Sequence, residues 1–168
     1  MVDLRTLFGQ ARTNFRPADG QQKPTAPTAP IRDFAVCDRL ESSDVATVSE
    51  GLLRSNEEEL GPSGMRALSV LVRSPEGDVQ AGLIGRTAWG WLFIEKIWVS
   101  ADLRGQGIGG ALVGRAETEA RSRGCTNAWL DTFNPRADNL YRRLGYEPFG
   151  QIDDYVGSRT RFYLRKTL

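Results

Sequence analysis

The most constraining feature of this 168-residue chain is a glycine-rich segment between a strand-like apolar run and an amphipathic helix-like run. The segment reads Arg104-Gly-Gln-Gly-Ile-Gly-Gly110. Before it, residues 91–99 are rich in aromatic and β-branched side chains, which is typical of a central strand. After it, apolar residues recur at helical spacing until Gly124. A strand, a glycine turn and a helix in this order predict a backbone that binds an anion, because the first helical amides lack intrahelical acceptors.

The same spacing tests two better-known phosphate loops. A P-loop needs Lys-Ser or Lys-Thr after its last glycine, whereas Gly109 is followed by glycine and alanine. A dinucleotide fingerprint fits loosely at Gly105, Gly107 and Gly110, but it belongs to repeated βαβ units, of which only one is visible here. The spacing excludes a P-loop and makes a dinucleotide-binding oxidoreductase an unfavoured hypothesis.

The residue counts exclude several classes of function. Lysine and arginine total 22 and acidic residues 21, so the formal net charge is +1 and no bulk field attracts nucleic acid or an anionic membrane. The chain has no histidine, which excludes Ser-His-Asp and Cys-His catalysis and most zinc enzymes. An enzyme of this composition must move protons with Tyr, Glu, Asp, Lys, Cys or water.

The cysteines and the hydropathy pattern indicate a metal-free intracellular protein. Cys37 and Cys125 lie far apart without the spacing of metal ligands, and we expect both to be buried structural thiols. No apolar run is long enough to cross a membrane, and residues 1–30 lack the apolar core of a signal peptide. We therefore expect a cytoplasmic protein with no bound metal and no membrane or nucleic-acid partner.

The chain divides into an arm and one domain. Residues 17–30 are dense in proline and poor in large apolar side chains, which predicts a flexible arm over 1–30. Residues 1–16 have weak amphipathic helical spacing inside this arm. The domain, 31–168, is long enough for one hydrophobic core.

The predicted element order in the domain is β-α-β-β-β-α-β-α-β-β. The first strand is expected over Ile31–Leu40, the first helix over Asp44–Ser55 and a loop over Asn56–Gly64. A helix from Pro135 to Leu144 follows the strand at Asn127–Phe133. This order predicts a mixed α/β fold with a mostly antiparallel central sheet and helices on both faces.

Two motifs resemble the GNAT N-acetyltransferase superfamily, whose members transfer an acetyl group from acetyl-coenzyme A to an amine. The first is the strand and pyrophosphate loop of that family, matched by Val99, Arg104, Gly107 and Gly109. The second is a helical tyrosine before a closing Leu-Gly-Tyr, matched by Tyr141 and residues 144–146. The resemblance covers about residues 34–164 by element order and is specific from about 94 to 146.

The resemblance implies that acetyl-coenzyme A is the co-substrate. Strand backbone would hold the pantetheine arm, amides of the glycine turn would hold the pyrophosphate, and an asparagine after the next strand would touch the pantetheine or thioester. The implied cofactor-binding residues are Ile97, Trp98, Val99, Arg104, Gly105, Gln106, Gly107, Ile108, Gly109, Gly110 and Asn134.

The chemistry of such a transfer requires an acid and a base. The departing thiolate must receive a proton, and Tyr141 is the candidate acid because a phenol with a pKa near 10 stays protonated at neutral pH. The attacking amine must lose a proton. Strict alternation places Glu95 on the strand face of Ile97 and Val99, where some family members carry a catalytic carboxylate, and Asp131 ends the following strand. A base made only of ordered water is a third alternative.

The acceptor is left open by the sequence. A small amine, a lysine, or a peptide or protein amino terminus would each satisfy the chemistry. Residues 57–59, all glutamate, and the tryptophans Trp89, Trp91 and Trp98 could attract a cation, although a solvated charge run and core aromatics explain both features more simply. A coenzyme A-binding module without catalysis is the alternative to an enzyme. Family members often pair edge strands, so a homodimer is one expected form.

Overall fold

One mixed sheet organises the protein, whose computed structural model describes Phe34 and residues 36–168. Its strands lie in the order β1-β2-β3-β4-β6-β5. The elements, in chain order, are α1 (Ser42–Leu60), β1 (Arg66–Arg73), β2 (Val79–Ala88), β3 (Trp91–Val99), α2 (Ile108–Ser122), β4 (Asn127–Thr132), α3 (Pro135–Arg143), β5 (Glu147–Val156) and β6 (Arg159–Thr167). Among the described strands, β3 and β4 are the one adjacent pair that runs in parallel. The predicted mixed, mostly antiparallel sheet is confirmed.

The core lies between the sheet and the two helices that follow β3 and β4. Leu112, Val113, Ala116 and Ala120 of α2 are buried against strand residues such as Leu83. Helix α3 packs beside α2, since a Cβ added at Gly109 would lie 3.2 Å from a methyl of Leu140. Both helices connect parallel strands and progress across the sheet in the same direction, so right-handed crossovers place them on the same face.

The opposite face of the sheet, called the open face below, carries aromatic and charged side chains. They alternate with the buried residues of each strand, as the pleat requires. Phe93 follows buried Leu92, and Trp129 precedes buried Leu130. The described open face includes Arg86, Trp91, Phe93, Trp129, Asp131, Phe149, Arg161, Tyr163 and Arg165.

Helix α1 differs from its prediction. It continues to Leu60, so the glutamates at 57–59 lie in its last turn and the predicted loop over Asn56–Gly64 is wrong in its first half. Glutamate and leucine are good helix formers, and the helix ends only where Gly61 adopts a φ of 84°. None of its residues is buried.

The region before α1 does not form the predicted strand in its described part. Residues 36–40 are exposed and have no strand pairing, and Cys37 is therefore exposed rather than buried. Cys125 is buried as expected. The arm predicted over 1–30, with its amphipathic segment, lies outside the described residues. Within the described chain, no helix is both long and apolar enough to cross a membrane.

Candidate functional site

An opening between β3 and β4 is the main irregularity of the sheet. The parallel pairing of these strands ends at Ile94 and Leu130. β3 continues to Val99 and is paired with β2 over that length. Beyond the last residue paired with β4, its other edge therefore presents backbone amides and carbonyls that pair with no strand among the described residues. An extended ligand could pair with that edge as a strand does.

A β-bulge at Glu95 coincides with the start of the opening. Ile84 pairs with Lys96 and Gly85 pairs with Ile94, which leaves Glu95 as an extra residue on β3. The close approach requires glycine at 85, where a Cβ would collide with the carbonyl oxygen of Phe93. A bulge bends its strand and changes the direction in which the following residues point. From this bulge onward β3 and β4 no longer pair.

The bulge also corrects the predicted orientation of Glu95. Ile94 and Ile97 both pack toward the core although they are three positions apart, an odd spacing that strict alternation would place on opposite faces. Strict alternation placed Glu95 on the face of Ile97, which is wrong because the extra residue resets the register. Glu95 instead forms an ion pair with Arg86, whose guanidinium lies 4.8 Å from the ring centre of Phe93 on the open face.

Asp131 occupies the matching position on β4. It follows Leu130 directly, as Glu95 follows Ile94, so the two carboxylates flank the point where the strands separate. Arg161 of β6 donates from Nε to the Oδ2 of Asp131 at 2.7 Å and also donates to the hydroxyl of Tyr155. Both predicted carboxylates are therefore already neutralised by an arginine.

Tyr141 lies in the last turn of α3 behind the opening. It is 7 % exposed, and its ring meets that of Tyr146 edge-on at a centroid distance of 6.0 Å. Its hydroxyl has no hydrogen-bond partner among the described residues, yet it is not fully closed to solvent, unlike that of Tyr146. Burial first, and then the negative charge of Asp131, raise the pKa of Tyr141 to about 12. The phenol is a proton donor at neutral pH.

The glycine turn forms a row of free donors beside the opening. Gly105 and Gly107 both have a φ of 78°, in the left-handed region that glycine adopts without strain. Within the described chain, the amides of residues 105–110 donate to no backbone acceptor. They stand at the amino-terminal end of α2, where the helix dipole favours an anion.

The side chains of the turn brace it rather than extend from it. Arg104 donates from Nε to the carbonyl of Val99 at 3.1 Å, and Gln106 donates to the carbonyl of Asp102 at 2.8 Å. Gly109 has a different reason for being glycine, because its missing side chain admits Leu140 of α3. The turn therefore offers backbone donors, and Arg104 at its start adds a positive charge.

Asn134 caps α3 at the same end of the sheet. Its side-chain oxygen accepts a hydrogen bond from the amide of Arg136 at 2.9 Å, and Pro135 occupies the first turn. Its own amide donates to the hydroxyl of Thr132 at 3.1 Å. The side-chain nitrogen of Asn134 makes no bond within the described residues.

The residues predicted as candidates for attracting a cation have structural roles or lie away from the two carboxylates. Glu57 accepts hydrogen bonds from the amide and hydroxyl of Ser63, which lower its pKa and fix the end of α1. Trp89 forms a two-residue hairpin turn with Gly90, both at positive φ. Trp98 is exposed on the open face beyond the bulge. The described residues contain no group of three or more potential metal ligands.

Sequence reasoning missed the arginines that meet the two carboxylates. Arg161 pairs with Asp131 across two antiparallel strands, thirty residues away in the chain. A signal was present, because Arg161, Tyr163 and Arg165 alternate with buried or half-buried apolar residues along β6. The alternation indicates a face of β6, but only strand order reveals which residue lies opposite.

Comparison with known proteins gives consistent matches. The sequence pattern of the acetyltransferase (GNAT) family matches residues 33–146. An acetyltransferase of Agrobacterium fabrum is 34 % identical over 134 residues, which are 80 % of this chain and 98 % of that protein. The blasticidin-S acetyltransferase of Streptomyces morookaense is 38 % identical over 93 residues, 55 % of this chain and 68 % of that protein. A crystal structure from Agrobacterium tumefaciens, assigned as an acetyltransferase, superposes with a TM-score of 0.76 at 33 % identity, covering 82 % of this chain and all of that one.

Proposed function

This chain belongs to the acetyltransferase (GNAT) family and is an acyltransferase, and on that premise we propose that it moves an acetyl group from acetyl-coenzyme A directly to a primary amine in a ternary complex. The observation that carries the proposal is the opening between β3 and β4, with free backbone groups on one side and a row of free amides at its end. The catalytic domain is 31–168, preceded by the arm at 1–30.

The cofactor would occupy the opening along β3. On either side of Trp98, Ile97 and Val99 would supply strand-like backbone donors and acceptors for the amides of pantetheine, and the carbonyl of Val99 also accepts from Nε of Arg104. The amides of residues 105–110 and the helix dipole suit the pyrophosphate, with Arg104 adding positive charge. Asn134 has a free side-chain nitrogen at the end of β4 to donate to the pantetheine or thioester.

Tyr141 is proposed as the acid for the departing thiolate. When the amine nitrogen forms its bond to the acetyl carbon, the carbon–sulfur bond breaks and the sulfur takes the electron pair. A phenol with a pKa of about 12 keeps its proton until that charge develops. Its hydroxyl has no competing partner among the described residues, which leaves it free to donate to sulfur.

Glu95 and Asp131 are proposed to position the acceptor amine by hydrogen bonds, while the proton of the amine passes to water beside them. Direct proton transfer from an alkylammonium to an ordinary carboxylate is uphill by about six pKa units, and the carboxylates of Glu95 and Asp131 already bind Arg86 and Arg161. Capture of the small free-amine fraction, with its proton passing to water beside these carboxylates, avoids that cost. Both residues then orient the acceptor on the open face.

The acceptor is proposed to be an amine of a small molecule or of a peptide. The cytoplasm is the proposed compartment and a homodimer the proposed assembly, and neither affects the chemistry at the opening. Antibiotic amines belong in the first screen because one relative is named for blasticidin S.

The test combines a binding measurement with a turnover measurement on the full chain. Thermal shift is measured with coenzyme A, acetyl-coenzyme A and NAD. Only the two coenzyme A species should stabilise the protein, by about 2.7 kcal/mol at a ligand concentration of 100 times Kd. Release of free thiol should then depend on an added amine. Stabilisation without thiol release from any amine would leave a binding module without catalysis, and stabilisation by NAD alone would contradict the site.

A further inference from the structure

A second concavity lies on the open face next to the proposed reaction centre. Its volume is about 450 Å³, and it is lined by Trp91, Trp129, Phe149, Tyr163 and Arg165. Apart from the arginine, every lining side chain is aromatic. The volume lies within the range that holds a small organic molecule. We call this concavity the aromatic pocket.

The strand register connects the aromatic pocket to the opening. Trp129 precedes Asp131 by two residues on the same face of β4, a distance of about 7 Å along a strand. Tyr163 lies directly opposite Asp131 in the β4–β6 ladder, and Arg165 lies opposite Trp129. A molecule in the pocket therefore has Asp131, at the opening, within reach of a short chain.

The lining selects for a flat ring. Trp129 already stacks on Phe93 at a centroid distance of 3.9 Å and an angle of 11°, which holds the indole in a fixed plane. Tyr163 and Phe149 stand 6.3 Å apart at an angle of 57° and form the facing wall. Fixed ring faces interact best with another π system in an offset or edge arrangement.

Arg165 sets the polarity of the ligand. Arg86 and Arg161 are each paired with a carboxylate, whereas Arg165 forms no ion pair with the described residues and lies 5.9 Å from the ring centre of Phe149. Its positive charge disfavours a cationic tail in the pocket. Its planar donors suit oxygen or nitrogen acceptors on the edge of a ring. A saturated alkyl tail would fill the same volume without satisfying those donors.

We propose that the acceptor is a primary amine attached by a short chain to a planar conjugated ring with hydrogen-bond-accepting atoms on its edge. The ring occupies the aromatic pocket, the edge faces Arg165, and the amine reaches the opening beside Asp131. This inference rests on the proposed acetyl transfer and adds to it the chemical class of the acceptor.

The test compares three amines of matched length at saturating acetyl-coenzyme A. They are 2-cyclohexylethylamine, 2-phenylethylamine and 2-(2-pyridyl)ethylamine, which differ in planarity and then in a ring acceptor. We expect kcat/KM to rise by about three- to tenfold from the cyclohexyl to the phenyl compound and again for the pyridyl compound. Equal values for the cyclohexyl and phenyl amines would overturn the inference while leaving acetyl transfer established. If neither these three amines nor any other amine supported thiol release, both this inference and the proposed acetyl transfer would be overturned.

Two variants and a control separate the pocket from the fold. Phe149→Leu keeps apolar area but removes a ring that is 52 % exposed, and it should raise KM for the phenyl amine while kcat and KM for acetyl-coenzyme A stay constant. Arg165→Met should remove the advantage of the pyridyl over the phenyl amine. Leu71→Ala alters an exposed leucine on the opposite edge strand and should change none of these values.

An interface between two copies is the competing use of this face. Sedimentation of the native protein and of Phe149→Leu distinguishes it. A change in oligomeric state without a change in KM for the aromatic amine would assign the aromatic pocket to an interface and overturn the inference. An unchanged oligomeric state together with a raised KM supports the acceptor pocket.

Discussion

Replacing Tyr141 with phenylalanine is expected to slow acetyl transfer without weakening the fold. The side chain is 7 % exposed, and its ring contact with Tyr146 survives because phenylalanine has the same ring. The hydroxyl that is lost has no partner within the described chain, so no donor or acceptor is left unsatisfied. The free energy of unfolding should therefore change by less than about 1 kcal/mol.

The expected loss of rate follows from the protonation state of the phenol. With a pKa of about 12, raised by burial and by Asp131, only about one molecule in 10⁴ is ionised at pH 8. General acid catalysis contributes about 10²–10⁴ in rate, which corresponds to about 3–5 kcal/mol of activation free energy. We expect kcat to fall by this factor, while KM for acetyl-coenzyme A stays within about twofold.

Steady-state thiol release from pH 7 to 10 measures this loss, with urea unfolding as the check on stability. A tyrosine with an ordinary pKa would be half ionised at pH 10. Because the pKa of Tyr141 is about 12, ionisation of this phenol should not lower the kcat of the native enzyme below pH 10. Tyr146→Phe serves as the matched control on the neighbouring ring. An unchanged kcat in Tyr141→Phe, with chemistry shown to be rate-limiting, would refute the role of the hydroxyl.

Three further substitutions test the turn and the core. Gly107→Ala meets no neighbouring atom, so its cost should come from the positive φ alone, about 1–2 kcal/mol in urea unfolding, with a raised KM for acetyl-coenzyme A; an unchanged KM would argue against pyrophosphate binding there. Tyr146→Phe removes a buried hydroxyl that has no hydrogen-bond partner within the described residues and should leave stability unchanged or raise it by about 1 kcal/mol; a loss above about 1 kcal/mol would indicate that the hydroxyl donates to Glu117. Lys166→Met removes the ammonium that lies 2.8 Å from the buried carboxylate of Glu117 and leaves Arg121, at 3.6 Å, as its cationic partner, so the cost should be below the loss of about 3–5 kcal/mol expected for a wholly unpaired buried charge, and adding Glu117→Gln should restore much of that loss.

Local patterns were sufficient to predict the glycine turn and the helices around it. Positive φ at Gly105 and Gly107, the proline at the start of α3 and the apolar spacing of α2 all depend on a few neighbouring residues. The alternation of apolar and polar residues predicted the strands for the same reason. These features, with the two family motifs, placed the cofactor candidates and Tyr141 in the right elements, and their roles remain predictions for the measurements above.

The sequence by itself therefore determined the order of the elements from α1 onward and the backbone conformation at the turn, while tertiary structure decided which side chains meet. The bulge that re-aims Glu95 arises from the pairing of β3 with β2, and the close approach at Gly85 is visible only once both strands are present. Asp131 finds Arg161 because β6 inserts between β4 and β5. Strand order and register depend on contacts between distant segments, whose free energies no short window of sequence contains.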